Sequence, residues 1–169
     1  AMYSNDIGAA ELIGSWRGDK GLDVAPEPDG EERSAYYDEI TFTPSGAATN
    51  AEEQALVVVR YHQQVRKRKN GKIFHDQIGH WIYEPATGMI QHSLSIPRGL
   101  CLLAGGKLAQ LGAATVFKVA ATAGSETFGI VQSPFLLQKA RTTAFRMTLK
   151  ISGDELHYEE TTFLDIYGR

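Results

Sequence analysis

Short runs of β-branched and aromatic residues recur along the whole chain, each closed off by Gly, Pro, Asn or Asp, and few stretches carry the i, i+3, i+4, i+7 apolar spacing of a surface helix. A chain written this way has to hydrogen-bond its backbone between strands, so it reads as all-β. Strands are expected at 12–18, 35–43, 54–69, 72–83, 89–96, 100–108, 115–122, 126–132, 142–151 and 155–166. Ten consecutive strands with short links predict an up-and-down antiparallel β-barrel, which leaves no exposed edge to protect. The acidic, Gly- and Pro-containing stretches 19–32 and 44–53 are expected to be loops. Ser133-Pro134 ahead of Phe135, Leu136 and Leu137 offers an N-cap and a first-turn proline, so one short helix is expected between two late strands. Gly105-Gly106 argues against reading 100–111 as a second helix.

Composition narrows the functional classes. A chain of 169 residues with 43% hydrophobic content can bury a core of its own, so one domain over 1–169 is expected, with room for a cavity. A net charge of −3 supplies no whole-molecule field for nucleic acid or an anionic membrane. Arg66-Lys67-Arg68-Lys69 flanks a turn and is expected to be a solvated tip. Cys101 is the only cysteine, so neither an internal disulfide nor a CxxC site can form, and a cytoplasmic location fits. No apolar run is long enough for a signal peptide or a membrane span. The enzyme motifs fail: Gly105-Gly106-Lys107 is not a phosphate-binding loop, no Gly-x-Ser-x-Gly occurs, and Glu52/Glu53 and Glu159/Glu160 point to opposite sides of an extended chain. No catalytic residue and no metal site are assigned.

Asn70-Gly71 is the sharpest local signal. A two-residue type I′ turn there sets Lys69 opposite Lys72, and hence His75 opposite Arg66, Gln77 opposite Gln64, Gly79 opposite His62, Trp81 opposite Arg60 and Tyr83 opposite Val58. Both faces of this hairpin mix polar and apolar residues, as the wall of a barrel with a partly polar cavity would. Arg60 opposite Trp81 offers either a cation–π contact with a guanidinium free for a carboxylate or plain stacking.

Several segments together resemble one family. Ile13-Gly14-Ser15-Trp16-Arg17-Gly18 resembles the G-x-W-x-G first strand of lipocalin-like and fatty-acid-binding-protein-like (calycin) barrels, and more closely that of the nitrobindins. Phe74-His75-Asp76-Gln77-Ile78-Gly79-His80-Trp81 is similar to their H-x-E-x-G-aromatic strand, with Gln77 where an acid is usual, and Leu156-His157-Tyr158 through Thr161-Thr162 resembles their closing strand. The resemblance implies a ten-stranded lipocalin-like barrel whose cavity holds haem in the nitrobindins, where ferric haem binds nitric oxide and isomerises peroxynitrite. Their axial histidine follows the closing strand, where this sequence reads Ile166-Tyr167-Gly168-Arg169 with no histidine after His157. The expectation from these residues is a nitrobindin-like relative without that ligand, with the alternative that the axial segment belongs to a chain continuing past Arg169 left open.

The matching puts His75 in the position of the family's cavity histidine. Arg60, His62, Gln77, Trp81, His92, Leu94 and Ile96 would then line the cavity with it, and Trp16 would close its bottom. The leading expectation is a non-enzymatic barrel that takes up a small hydrophobic, lipid-like or haem-like molecule oriented by Arg60, His75 and Gln77. Two alternatives stay open: a haem protein with peroxynitrite isomerase activity, needing His75, His62 or His92 as axial ligand, and a filled barrel acting through its surface, as a homodimer for instance.

Overall fold

The computed structural model describes residues 14–27 and 30–166, with residues 19–36 described in backbone only. Leu12, Ile13 and Tyr167 to Arg169, which entered the reading above, lie outside them. Ten strands follow one another: β1 (Gly14–Glu27), β2 (Gly30–Asn50), β3 (Gln54–Lys67), β4 (Ile73–Glu84), β5 (Met89–Ile96), β6 (Leu100–Leu111), β7 (Ala114–Thr122), β8 (Ile130–Gln132), β9 (Ala140–Ser152) and β10 (Glu155–Ile166), with helix α1 (Pro134–Lys139) between β8 and β9. All ladders are antiparallel. The expected all-β, ten-stranded class with one short helix is what the chain adopts, as a sheet curled into a half-barrel. No helix among the described residues is long and apolar enough to cross a membrane.

Sheet order departs from sequence order once. β1 to β7 are neighbours in turn, then β7 pairs directly with β9, while β8 lies beside the first residues of β6 through Leu100↔Gln132 and Leu102↔Ile130. Only three residues of the expected strand 126–132 pair. Residues 123–129 are spent on a turn that lays the Phe128 ring over Gly105, where a Cβ would stand 2.2 Å from the ring. Ser133 caps α1 as expected, its Oγ accepting from the Leu136 amide at 3.3 Å.

The two acidic stretches read as loops are largely strand instead. β1 and β2 pair out to Glu27↔Gly30, and β2 runs on to Asn50 against β3. Backbone pairing with a long neighbour overrides the weak strand preference of Asp, Glu and Gly, which is a packing preference more than a backbone one.

The hairpin β3–β4 departs from the expected register by one residue. Only Gly71 of the Asn-Gly pair takes a positive φ, +69°, and the Asn70 carboxamide instead accepts from the Lys72 amide at 2.9 Å. The turn therefore spans four residues, closed by Lys67 N–H to Lys72 C=O and Gly71 N–H to Lys67 C=O, both 2.9 Å. A bulge follows between Arg66↔Ile73 and Val65↔His75, and from there Gln63 faces Gln77, Tyr61 faces Gly79, Val59 faces Trp81 and Arg60 faces His80. A one-residue slip exchanges the two faces of a strand. Val57, Val59, Tyr61, Gln63 and Val65 thus turn inward with His75, Gln77 and Trp81, and Arg60 and His62 turn outward. Burial explains the choice: Val59, Tyr61 and Trp81 are at most 3% exposed, whereas the expected register would bury Arg60.

The core fills the concave side. Trp81, Phe117, Ile90, Leu149, Ile151 and Val59 are its most enclosed apolar side chains, and Phe145, Met147, Leu149 and Ile151 alternate inward along β9 as the sequence implies. Where Tyr61 crosses β4 the inner face must be bare. A Cβ on Gly79 would stand 2.0 Å from the Ser93 carbonyl oxygen and 3.0 Å from the Tyr61 ring. Gly79→Ala is expected to lower stability by about 1–3 kcal/mol, the range for overpacking a filled core, read as a lower urea midpoint at unchanged slope. A midpoint equal to wild type would show that the ring and strand separate freely there.

Candidate functional site

Two polar strings run across the inner face of the curled sheet. The first descends into the core. His75 Nε2 lies 2.8 Å from Gln77 Oε1, Gln77 Nε2 donates to the Tyr61 hydroxyl at 2.5 Å, and that hydroxyl lies 2.5 Å from His92 Nε2. Burial, partly offset by the Gln77 bond, pushes the Tyr61 phenol well above its ordinary pKa, so it keeps its proton and donates it to His92. Burial also holds the His92 pKa down at about 3, so the ring is neutral. The proton of that neutral ring must sit on Nδ1, because Nε2 accepts. Each bond therefore donates inward, from His75 to Gln77 to Tyr61 to His92, and the string ends at His92 Nδ1, a buried donor without a partner. His92 is stacked on Trp81 at 4.2 Å between ring centroids, 10° from parallel. Gln77 is suited to its place because an amide accepts at one end and donates at the other, which a carboxylate there could not do.

The second string ties the two ends of the sheet together. Among the described residues β1 and β10, the ends of the strand order, share no ladder. Instead, Gln63 Nε2 donates to both Asp38 carboxylate oxygens at 3.0 and 3.1 Å and lies 3.2 Å from the Tyr158 hydroxyl, which donates to Asp38 Oδ2. Burial raises the Asp38 pKa, opposed by the bonds from Tyr158 and Gln63 and by the charge of His75. Beside this cluster a cleft of about 290 Å³ opens between β1–β2 and the start of β10, with Trp16, Ile40 and Leu156 as apolar walls and Asp38, Tyr158, Arg17, Asp154, Glu155 and His157 as polar ones.

The eight residues expected to line one cavity are divided by the sheet. His75, half-buried, and Gln77, Trp81, His92 and Leu94, nearly inaccessible, lie on the inner face, and Ile96 packs at its margin. Arg60 and His62 are exposed on the outer face, where His62 Nε2 meets Asp76 Oδ1 at 3.0 Å. Arg60 is opposite His80, not Trp81, so the anticipated cation–π pair is replaced by the Trp81–His92 stack. The basic run Arg66 to Lys69 sits at the tip of the β3–β4 hairpin, where Arg68 covers the Tyr37 ring at 5.5 Å. Sequence reasoning missed Tyr61 and Gln63, which the assumed turn placed outside, and Asp38 with Tyr158, which meet across 120 positions of chain.

A profile described as THAP4-like, heme-binding beta-barrel domain matches residues 8–167. The chain belongs to that family. Its fold is similar to that of Rv2717c from M. tuberculosis, known from a crystal structure, with a TM-score of 0.67 and 22% identity over 94% of this chain and 85% of that one. No curated protein matches the chain.

The THAP4-like family is described by haem, and the inner face of this member does not fit it. An axial imidazole needs a free ring nitrogen facing a slot as broad as a porphyrin. His75 and His92, the inward-facing histidines among the described residues, commit Nε2 to Gln77 and Tyr61, and His92 Nδ1 is sealed beside Trp81. Neither lines the inner cleft, whose 290 Å³ lies at the floor of the roughly 300–1,000 Å³ that drug-sized ligands occupy.

Buried neutral His92 makes stability depend on pH. As pH falls through 6.5, the ordinary histidine value, the unfolded chain takes up a proton that the folded chain refuses until about pH 3, so stability declines over that window by up to about 1.4 kcal/mol per pH unit. Asp38, with its folded pKa raised above 3.8, acts in the opposite sense, holding a proton in the folded state that the unfolded state has lost. Comparing wild type with His92→Phe by urea unfolding isolates the first effect. Between pH 6.5 and 4.5 wild type is expected to lose about 2–3 kcal/mol more than the variant. Parallel stability curves would mean that His92 is protonated in the folded protein.

Proposed function

We propose that this chain binds a small, mostly apolar molecule in the cleft on the inner side of its curled sheet. The observation that carries the reading is a carboxylate, Asp38, only 8% exposed yet set at the wall of a cleft where Trp16, Ile40 and Leu156 supply the apolar surface and Arg17, Asp154, Glu155 and His157 a charged rim. Gln63 and Tyr158 supply three hydrogen bonds to a carboxylate that can accept about four, so Asp38 is held in place by the fold and keeps acceptor capacity for the polar end of a bound molecule. The apolar walls supply affinity at roughly 25 cal/mol for each Å² removed from water, and Asp38 and Tyr158 orient the polar end, with His75 and Gln77 deeper on the same face.

The character of that polar end differs from what the sequence suggested. With Arg60 outside the sheet, Asp38, Asp154 and Glu155 outnumber the one guanidinium at the cleft, Arg17, which faces Glu39 at 3.7 Å, so the cleft selects hydrogen-bond donors such as an amine, amide or hydroxyl over a carboxylate or haem propionate. Binding without chemistry is the activity we assign. We read residues 1–169 as one domain, and the free, exposed Cys101 suits a reducing cytoplasm.

Calorimetric titration with three probes of one shape, 1-naphthylmethylamine, 1-naphthylmethanol and 1-naphthoate, tests this. The amine and the alcohol are expected to bind the inner cleft more tightly than the acid there. Asp38→Asn is expected to weaken the amine about tenfold, the cost of one charge-assisted hydrogen bond, with the thermal midpoint recorded alongside to verify the fold. Undiminished amine affinity in a folded Asp38→Asn protein would remove Asp38 from the site.

A further inference from the structure

A second cleft, about 720 Å³ against the 290 Å³ of the inner one, opens on the outer face of the sheet. Its cause lies in the order of side-chain lengths across five strands. One row runs Thr43, Arg60, His80, Ser93 from β2 to β5, each opposite the next. The row two residues along runs Thr41, His62, Ile78, Ser95, Cys101, reaching β6. Short hydroxyl and thiol side chains stand on β2, β5 and β6 and long ones on β3 and β4, so the outer face is hollowed instead of evenly covered. The rows are about 7 Å apart, and four strands span about 14 Å, the footprint of a two-ring aromatic body.

The charge in this hollow is one-sided. The chain carries three net negative charges, yet no Asp or Glu lines the cleft. His62 is engaged by Asp76 at 3.0 Å, whereas Arg60 makes no ion pair among the described residues. Ile78, 56% exposed, offers an apolar surface in the row beside it. An open guanidinium, flanked across the ladder by the Thr43 hydroxyl on one side and the His80 imidazole on the other, matches a planar oxyanion, which arginine grips with two parallel N–H bonds.

From this arrangement we infer that the outer cleft is a second binding site, for an aromatic anion. Its carboxylate or phosphate lies on Arg60 with Thr43, His80 and Ser93 around it, and its ring system lies over Ile78 between the Ser and Thr side chains. The site is separate from the inner cleft and opposite to it in charge preference.

Cys101, the only cysteine of the chain and exposed within this cleft, is a built-in reporter. The rate of its alkylation by iodoacetamide, a neutral reagent, is followed by intact-mass spectrometry with 1-naphthoate, 1-naphthyl phosphate or 1-naphthylmethanol present. Both anions are expected to slow alkylation saturably, and the neutral alcohol to do so only at concentrations about tenfold higher. Arg60→Gln, an exposed substitution, is expected to raise the half-protecting concentration of the anions about tenfold, measured against that variant's own unprotected rate. Asp38→Asn, which addresses the inner cleft, is expected to leave protection as it is. Equal protection by the alcohol, or full protection by the anions in Arg60→Gln, would overturn the assignment. So would protection that rises with protein concentration in the absence of any probe, because the cleft would then be covered by a second copy of the chain.

Discussion

The cluster of Tyr61, His92 and Trp81, with the Tyr61 ring laid against the bare backbone of Gly79, is the arrangement on which the rest of the molecule depends. It sets the register of β3 on β4, because Tyr61 can cross the inner face only where no Cβ stands opposite, and Gly79 is the residue of β4 that meets this condition. Once that pair is matched, Val59 meets Trp81, Trp81 meets His92, and the aromatic side chains of β7 and β9 close over them. The same choice decides which charges are inside. Arg60 and His62 go out with His80, and Gln63 comes in to hold Asp38.

Polar groups on the inner face are arranged by what each can donate or accept. The inward string has one direction, set by a phenol that keeps its proton and an imidazole that stays neutral, both through burial. Its terminal donor, His92 Nδ1, lacks a partner, a cost borne inside a densely packed aromatic cluster. The Asp38 cluster is different in kind. It joins β2 and β3 to β10 where the backbone ladders of the described residues stop, so among these residues side chains do the work of closing the curl that a β1–β10 ladder would do in a fully hydrogen-bonded barrel. That is also where a cleft remains.

Membership of a family described by haem coexists here with an interior that has no place for one among the described residues. The family fold supplies a curled sheet with a concave, partly polar face, and what such a face binds is set by the side chains on it. In this member the aromatic residues and His92 fill the depth of the curl, and the remaining space lies at its lateral opening and on its outer surface. Carboxylates predominate at the inner cleft, Asp38, Asp154 and Glu155 against Arg17, whereas Arg60 stands in the outer one without any, and a single residue of register decides the face of Arg60.

Much of this was legible in the residues themselves. Alternation fixed the inward sets of β5 and β9, Ser133-Pro134 placed the helix, and the positions around Trp16, His75 and Trp81 carried the family likeness, because each depends on neighbours within one or two turns of chain. The Asn70-Gly71 turn was legible too, but not its length: the Asn70 side chain had two ways to satisfy a backbone group, and local preference differs between them by less than the burial of Val59 and Tyr61. Tertiary structure decided the register, and with it the faces of Arg60, His62, Tyr61 and Gln63. It also decided that Asp38 meets Tyr158 and that two acidic stretches extend as strands. A sequence states which side chains alternate, whereas which set is buried depends on the neighbouring strand and its own burial, a quantity that exists only when the sheet has closed on itself.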